Sequence, residues 1–169
     1  MIYLARYRSP LGEITLSASE NALTGLWFEG GRQVAEIASE RPWILRENLP
    51  IFKETFRWLD AYFLGENPSP AAIPLAPFGT EFRLRVWEKL REIPYGETQT
   101  YGALAGTLGQ GESDANPSAR AVGSAIGHNP IALIIPCHRV VGKNGKLCGY
   151  AGGPSRKAEL LRLEKILLI

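Results

Sequence analysis

Thiols and imidazoles are scarce in this chain, whose 169 residues include only 2 cysteines, 2 histidines and 1 methionine. Cys137 and Cys148 cannot form the framework of a disulfide-stapled secreted domain, and a free thiol suits a reducing compartment. No apolar run approaches the roughly 18–20 residues of a membrane span. Residues 1–6 lack the charged start, apolar core and cleavage site of a signal peptide, so a cytoplasmic protein with no membrane partner is expected. An excess of one charge is missing too: 19 basic residues stand against 17 acidic ones, for a net charge of +2. That balance excludes the basic stripe of a strong, unselective nucleic-acid binder. What remains, 45% hydrophobic and 21% charged residues, is the composition of an ordinary globular protein of one large or two small domains.

The small net charge is unevenly spread. Residues 1–78 hold 7 basic and 9 acidic side chains, whereas residues 79–169 hold 12 and 8. Both histidines and both cysteines lie in this second, more basic part. The excess is a mild signal for a polyanionic partner, and from charge alone a solvated mixed-charge surface is the better account of it.

Residues 3–9, 13–18 and 22–29 read as three short strands. The first two are joined by Ser9-Pro10-Leu11-Gly12, in which proline and glycine supply turn dihedrals, and an antiparallel sheet follows. Residues 33–38 have a helix-like pattern. Residues 51–64 set Phe52, Phe56, Leu59 and Phe63 three and four positions apart, which predicts an amphipathic helix with that stripe in the core. Residues 65–78 contain Pro68, Pro70, Pro74 and Pro77, too many for a helix interior. The domain boundary is expected there, dividing the chain into residues 1–77 and 78–169.

The second part opens with a predicted helix over residues 80–93, through Phe82, Val86, Trp87 and Leu90, closed by Ile93-Pro94-Tyr95-Gly96. Thr100 can cap a short helix over 101–108 and Ser118 another over 119–127, with a polar loop over 109–117. Two short helices so joined suggest a helix-turn-helix. In the second of them Val122 and Ile126 can face a core, while Arg120, Gly123, Ser124 and Gly127 share a bare face. Such a face admits either a closely packed helix or a nucleic-acid backbone, and Arg120 near the helix N-terminus favours the latter.

The chemistry concentrates in Ile134-Ile135-Pro136-Cys137-His138-Arg139-Val140-Val141, an apolar, strand-like run broken by a proline. A thiolate is a strong nucleophile, and a neighbouring His or Arg lowers the cost of forming it. A buried cysteine acting as a small hydrophobe is the alternative. Side chains alternate across a strand, so His138 can serve Cys137 only if Pro136 introduces a turn or a water bridges the two. A final helix is expected over residues 155–168, with Leu160, Leu161, Leu167 and Leu168 on its apolar stripe. Glu164 falls on the same stripe, where a carboxylate needs a partner: His138, Arg139 or a simple fold-closing ion pair. His128, Cys137, His138 and Cys148 equal a zinc ligand count, but consecutive ligands and this spacing fit no tetrahedral site, and no metal is expected. A Cys-His-Glu hydrolase and a regulator using the helix-turn-helix alone are the competing functional readings.

Pro136-Cys137-His138-Arg139-Val140, preceded by Arg120-Ala121-Val122-Gly123 and Asn129-Pro130 and followed by Gly149-Tyr150-Ala151-Gly152-Gly153, resembles the O6-alkylguanine-DNA alkyltransferase family, the methylated-DNA–protein-cysteine methyltransferases. The likeness runs in order from about Phe78 to Glu164. The N-terminal part is similar in general layout only. The resemblance implies an α/β (α+β) protein: a ribonuclease H-like N-terminal domain with an antiparallel sheet, and a mostly helical C-terminal domain with a helix-turn-helix. It also implies that Cys137 takes the alkyl group of O6-alkylguanine in double-stranded DNA, permanently and without a cofactor, with activity on O4-alkylthymine left open. His138 would remove the thiol proton through a water, Glu164 would orient His138, Asn129 would be the hinge residue, and Tyr101 would hydrogen-bond the base. Arg120 would fill the stack vacated by a flipped base, with Ala119, Ala121, Gly123 and Ser124 along the minor groove. Tyr150, Ala151, Val140 and Gly152 would line the alkyl pocket. A monomer is implied, and cooperative assembly on DNA stays open. Three departures from the family pattern stand out: Cys148 in place of Thr or Gly, Pro154 after Gly153 in place of a common Leu, and a long loop between the two short helices.

Overall fold

The computed structural model describes residues 1–31, 43–108, 117–147 and 149–166. The helix expected over residues 33–38, most of the 109–117 loop, Cys148, Leu167 and Leu168 lie outside the described residues. The chain divides into two compact units, one of residues 1–78 with 130–132, the other of residues 79–129 with 133–169.

The first unit is built on a four-stranded sheet ordered β3-β2-β1-β4, comprising β1 (Ile2–Ser9), β2 (Gly12–Ala18), β3 (Leu23–Phe28) and β4 (Trp43–Leu45). A two-residue turn pairs Ser9 with Gly12, and the Ser9 hydroxyl closes it by donating to Gly12 O at 2.6 Å. The first three strands are antiparallel, but β4 joins β1 in parallel, with Ile2 opposite Trp43. The sheet is therefore mixed. Three residues of strand are too few to show a period in sequence, and a parallel neighbour needs a crossover rather than a turn.

Every residue of β3 is buried, and its outer edge is satisfied at both ends. Leu23 N–H donates to Pro74 O and Leu23 O accepts from Ala76 N–H, so the proline-rich connection is pinned along the sheet. Leu26 does the same with Pro130 O and Ala132 N–H. Covering an edge in this way removes a row of unpaired backbone groups.

Helix α1 (Pro50–Phe63) starts on a proline, whose missing N–H costs nothing in the first turn. Its buried face is Ile51, Phe52, Thr55, Trp58, Leu59 and Tyr62, rotated from the Phe52/Phe56/Leu59/Phe63 stripe expected from spacing. Three- and four-residue steps fit both faces. Trp58 decides the matter, because its ring stacks on Tyr62 at 5.4 Å and its Nε1–H reaches Ser69 O at 3.0 Å. Phe56 and Phe63 are half-buried and stack instead on Tyr7 of β1.

The second unit contains α2 (Glu81–Leu90), α3 (Tyr101–Leu108), α4 (Ala119–Gly127) and α5 (Pro154–Leu163), with a two-residue parallel pairing of β5 (Gln99–Thr100) and β6 (Val140–Val141). Thr80, Thr100 and Ser118 each accept a hydrogen bond from the backbone N–H three residues on, as N-caps should. Helix α2 ends at Leu90, short of the expected Ile93, and α5 ends at Leu163, so Glu164 caps that helix rather than lying within it. Trp87 locks α2 to α4: it is 2% exposed and its Nε1–H donates to Ala125 O at 2.8 Å. The ring also fills the space beside Gly79, where an added Cβ would come within 2.5 Å of it.

Replacing Trp87 by Phe removes that hydrogen bond and part of a fully packed ring. The expected loss is about 1–3 kcal/mol of stability, read as a lower denaturant midpoint in equilibrium unfolding; an unchanged midpoint would refute the role given to this contact.

Candidate active site

The segment that reads as a strand is mostly not one. Leu133 takes a positive φ of 69°, the chain turns through residues 132–135, and Cys137–Arg139 form a single 3₁₀ turn before β6. Pro136 has no N–H to offer a ladder, and its ψ of 65° is neither helical nor extended. Cys137 N–H closes back on Ile135 O at 2.8 Å, Arg139 N–H on Pro136 O at 3.0 Å, and Val140 N–H on Cys137 O. The turn, rather than strand alternation, sets the relation of Cys137 to His138.

All three residues of the turn are buried, at 5%, 0% and 8% exposure for Cys137, His138 and Arg139. Burial pushes the Cys137 thiol up. It is opposed by the Asn129 side-chain amide, the charge of Lys157 and the backbone N–H groups of Cys137 and His138. The net direction is upward, so Cys137 rests as a thiol and needs a base to become a nucleophile.

The next residue is an imidazole. Burial lowers the proton affinity of His138, with Glu164 working against it, and the net direction favours a neutral imidazole able to accept a proton. Nε2 of His138 lies 2.5 Å from Glu164 Oε2. In a neutral ring whose Nε2–H donates to the carboxylate, Nδ1 is the accepting nitrogen. Glu164 is 2% exposed. Burial works to raise its pKa, but the hydrogen bonds and charges of His138 and Arg139 outweigh this and bring it to about 2. Arg139 donates from Nε to Glu164 Oε1 at 2.8 Å and from Nη1 to Ile93 O at 2.8 Å, while Gly96 N–H adds a third donor to Oε1 at 3.1 Å. The two partners weighed for Glu164 are thus both present, one on each carboxylate oxygen.

Asn129, 4% exposed just beyond the end of α4, donates from Nδ2 to Ile135 O at 2.8 Å and reaches Cys137. Tyr101 opens α3, and its ring runs beside Gly123 of α4. Gly149, at φ +72°, is where an added Cβ would fall 2.9 Å from the Tyr101 hydroxyl, so glycine serves both the backbone turn and the space for that phenol. Tyr150 has a buried hydroxyl without a hydrogen-bond partner among the described residues, and the nearby Cys137 is one of the groups that raise its pKa, after burial itself. Ala151 and Gly152 are half-buried beside it. Val140 is fully buried in β6, with its backbone committed to pairing with Gln99. Ala119, Arg120, Ala121 and Ser124 are exposed on α4 and Gly123 is half-buried. Of the bare face read from the sequence, Arg120 and Ser124 are open, while Gly123 and Gly127 are half-buried and Gly123 faces the Tyr101 ring.

One participant is absent from the sequence-based reading. Lys157 of α5 is 1% exposed, and its ammonium donates to Val140 O at 2.5 Å. The signal was available, since Lys157 stands three and four residues before Leu160 and Leu161, on the same apolar stripe that made Glu164 conspicuous. As for zinc, His128 is exposed with its ring on Ser124 O, and no group of three potential ligands occurs among the described residues.

The second unit thus brings a buried thiol, a buried imidazole–carboxylate pair and two capped short helices together. The second unit matches the model of the 6-O-methylguanine DNA methyltransferase DNA-binding domain over residues 81–166, and the first matches that of the ribonuclease-like domain of the same enzymes over residues 2–77. A methylated-DNA–protein-cysteine methyltransferase of Methanosarcina acetivorans is 48% identical over 96% of this chain and 98% of its own. One from Mycobacterium leprae is 47% identical, covering 98% and 93%. A solved structure of Mycobacterium tuberculosis OGT in complex with DNA superposes with a TM-score of 0.85 at 42% identity, over 96% of this chain and 92% of that one. This chain belongs to the 6-O-methylguanine DNA methyltransferase family.

The Glu164 pairing carries a pH signature. Its carboxyl titrates lower in the folded protein than in the unfolded chain, so between the two values the unfolded state binds more protons. The stabilisation is complete above the unfolded pKa of about 4.3 and is lost as pH falls towards the folded value. Glu164→Gln leaves the Arg139 charge buried without its counter-ion and should cost roughly 3 kcal/mol at neutral pH. The difference in stability between the two proteins should shrink steadily as pH is lowered through the acid range; a constant difference in denaturation midpoints would contradict this account.

Proposed function

We propose that this chain repairs O6-alkylguanine in double-stranded DNA by transferring the alkyl group to Cys137 Sγ and keeping it, one transfer per molecule. The observation that carries the reading is the buried Cys137 thiol in one turn with His138, a neutral imidazole hydrogen-bonded to the ionised Glu164 carboxylate. The activity named for the full-length relatives agrees with it.

His138, through a water, takes the thiol proton while Glu164 holds its ring and stabilises the imidazolium. The thiolate attacks the alkyl carbon, the S–C bond forms, and the C–O6 bond breaks with its electron pair leaving on guanine. The guanine takes a proton delivered by way of Tyr101, so the thiol proton is in effect moved to the base. The resulting thioether has no leaving group that water readily displaces, and Cys137 is consumed.

A base inside a duplex cannot reach a buried thiol, so the lesion is turned out of the stack, at a few kcal/mol and less for a poorly paired base. Arg120, exposed in the first turn of α4, occupies the gap from the minor-groove side. The small residues Ala119, Ala121, Gly123 and Ser124 let the backbone come close. Asn129 holds the active-site turn on the end of this helix, and Tyr150, Ala151, Val140 and Gly152 enclose the alkyl group.

Incubation with DNA containing O6-methylguanine should add the mass of one methyl group, located on Cys137 by peptide mapping, and Cys137→Ser should bind the lesion without gaining mass. Label on Cys148, or turnover beyond one equivalent, would sink the assignment. Arg120→Ala is expected to slow repair of duplex DNA by about tenfold or more while changing reaction with the free alkylated base much less, since flipping is bypassed there. Equal losses on both substrates would remove Arg120 from the flipping step.

A further inference from the structure

One buried hydroxyl beside the reactive turn has nothing to donate to. Tyr150 lies in the segment before α5, in a turn closed by Gly153 N–H donating to Tyr150 O at 3.0 Å. Its Oη is buried and finds no hydrogen-bond partner among the described residues. Native interiors rarely leave a donor in that state, and phenylalanine would fill the same space without the cost. The surroundings say what the donor faces. Cys137 is close enough for its charge to act on this phenol, yet its sulfur does not accept from it. The residue before it, Gly149, approaches the Tyr101 hydroxyl so closely that an added Cβ would fall 2.9 Å from that oxygen. The Tyr150 hydroxyl is therefore near the thiol without being on it, beside the phenol to which the proposed chemistry assigns the base. That is where the alkyl group has to lie.

We infer that the Tyr150 hydroxyl is a specificity-determining donor of the alkyl pocket, selecting O6-alkylguanines whose alkyl group carries an oxygen on the carbon next to the one transferred, as 2-hydroxyethyl and carboxymethyl groups do. This rests on the reading of Cys137 as the alkyl acceptor. The transfer itself is unchanged: the Sγ–C bond forms, the C–O6 bond breaks with its electron pair on guanine, and the oxygen within the alkyl group only accepts a hydrogen bond. That oxygen stands three bonds beyond the sulfur once the group is transferred, which suits a donor close to the thiol but out of its reach. An all-carbon chain of the same length occupies the same space and leaves the hydroxyl buried and unpaired. A pocket with a committed donor discriminates against such a chain more sharply than an apolar wall discriminates by size. The charge of Arg156, whose Nη1 donates to Gly152 O at 3.3 Å, also acts on this phenol and suits an anionic acceptor such as a carboxylate.

The test uses duplexes carrying O6-(2-hydroxyethyl)guanine or O6-propylguanine, whose alkyl groups have equal numbers of heavy atoms and differ in ending on a hydroxyl or a methyl. Single-turnover transfer to Cys137 is followed by intact mass for the unaltered protein and for Tyr150→Phe. The ratio of the hydroxyethyl rate to the propyl rate cancels any disturbance of the pocket that slows both. It should fall about tenfold in Tyr150→Phe. A ratio that stays the same or rises overturns the inference. A second measurement decides the matter should Tyr150→Phe fail to fold: Cys137→Ser, which keeps Tyr150, should bind the hydroxyethyl duplex about fivefold more tightly than the propyl duplex. Equal or reversed affinities overturn the inference. If the unaltered protein transfers neither of these groups nor a methyl group, while Cys137→Ser keeps its preference for the hydroxyethyl lesion, the proposed function fails and the place of Tyr150 as donor to the bound alkyl group stands.

Discussion

Glu164 is an ionised carboxylate, buried at the C-terminal end of α5, where both desolvation and the helix dipole oppose its charge. It is held there by His138 and Arg139 from the 3₁₀ turn and by Gly96 from the connection after α2. The donors come from stretches of chain far apart in sequence. One interaction therefore fastens the end of α5, the turn that carries the thiol and the stretch before β5 into one arrangement. Removing the carboxylate would leave a buried guanidinium without a counter-ion as well as an imidazole without its orienting group. Stability and chemistry depend on the same oxygen atoms.

From this pairing the proton inventory of the site follows. Burial raises the thiol and lowers the imidazole, so both are uncharged at rest. A resting thiol in a closed site is protected from casual alkylation and oxidation, whose rates follow thiolate character and exposure. On the proposed mechanism, moving one proton from Cys137 to His138 creates a thiolate and an imidazolium together, the latter already on a carboxylate. Separating those charges in a low-dielectric interior is costly, and preorganised partners lower that cost because they need not reorient at the moment of reaction.

Much of this was legible in the sequence because several signals are local. The caps at Thr80, Thr100 and Ser118 are single-residue devices with fixed spacing, and they place three helix starts correctly. Glu164 was visible as a carboxylate on an apolar stripe. Other features escaped because local pattern does not determine them. Strand β4 is three residues long and finds its register only through β1. The buried face of α1 turned towards Trp58 and Tyr62 because a tryptophan's single polar atom found Ser69 O, a contact eleven residues away. The segment 134–139 has the composition of a strand, yet the positive φ at Leu133 and the proline at 136 deny it a ladder. Lys157 obeyed the same stripe argument as Glu164 and escaped because long basic side chains ordinarily reach solvent from such positions.

That last residue changes how the electrostatics of the site balance. The fixed buried charges around the turn are Arg139 and Lys157 against Glu164, an excess of one positive charge while Cys137 is a thiol and His138 is neutral. Ionising Cys137 by loss of its proton to solvent would bring that sum to zero. On the proposed mechanism, transferring the proton to His138 leaves the sum unchanged and puts the new positive charge against Glu164. The imidazolium then has an opposite charge already waiting, held in place by the Arg139 guanidinium. A carboxylate fixed in advance for a cation that does not yet exist suits a site that keeps its thiol inert until a substrate is present.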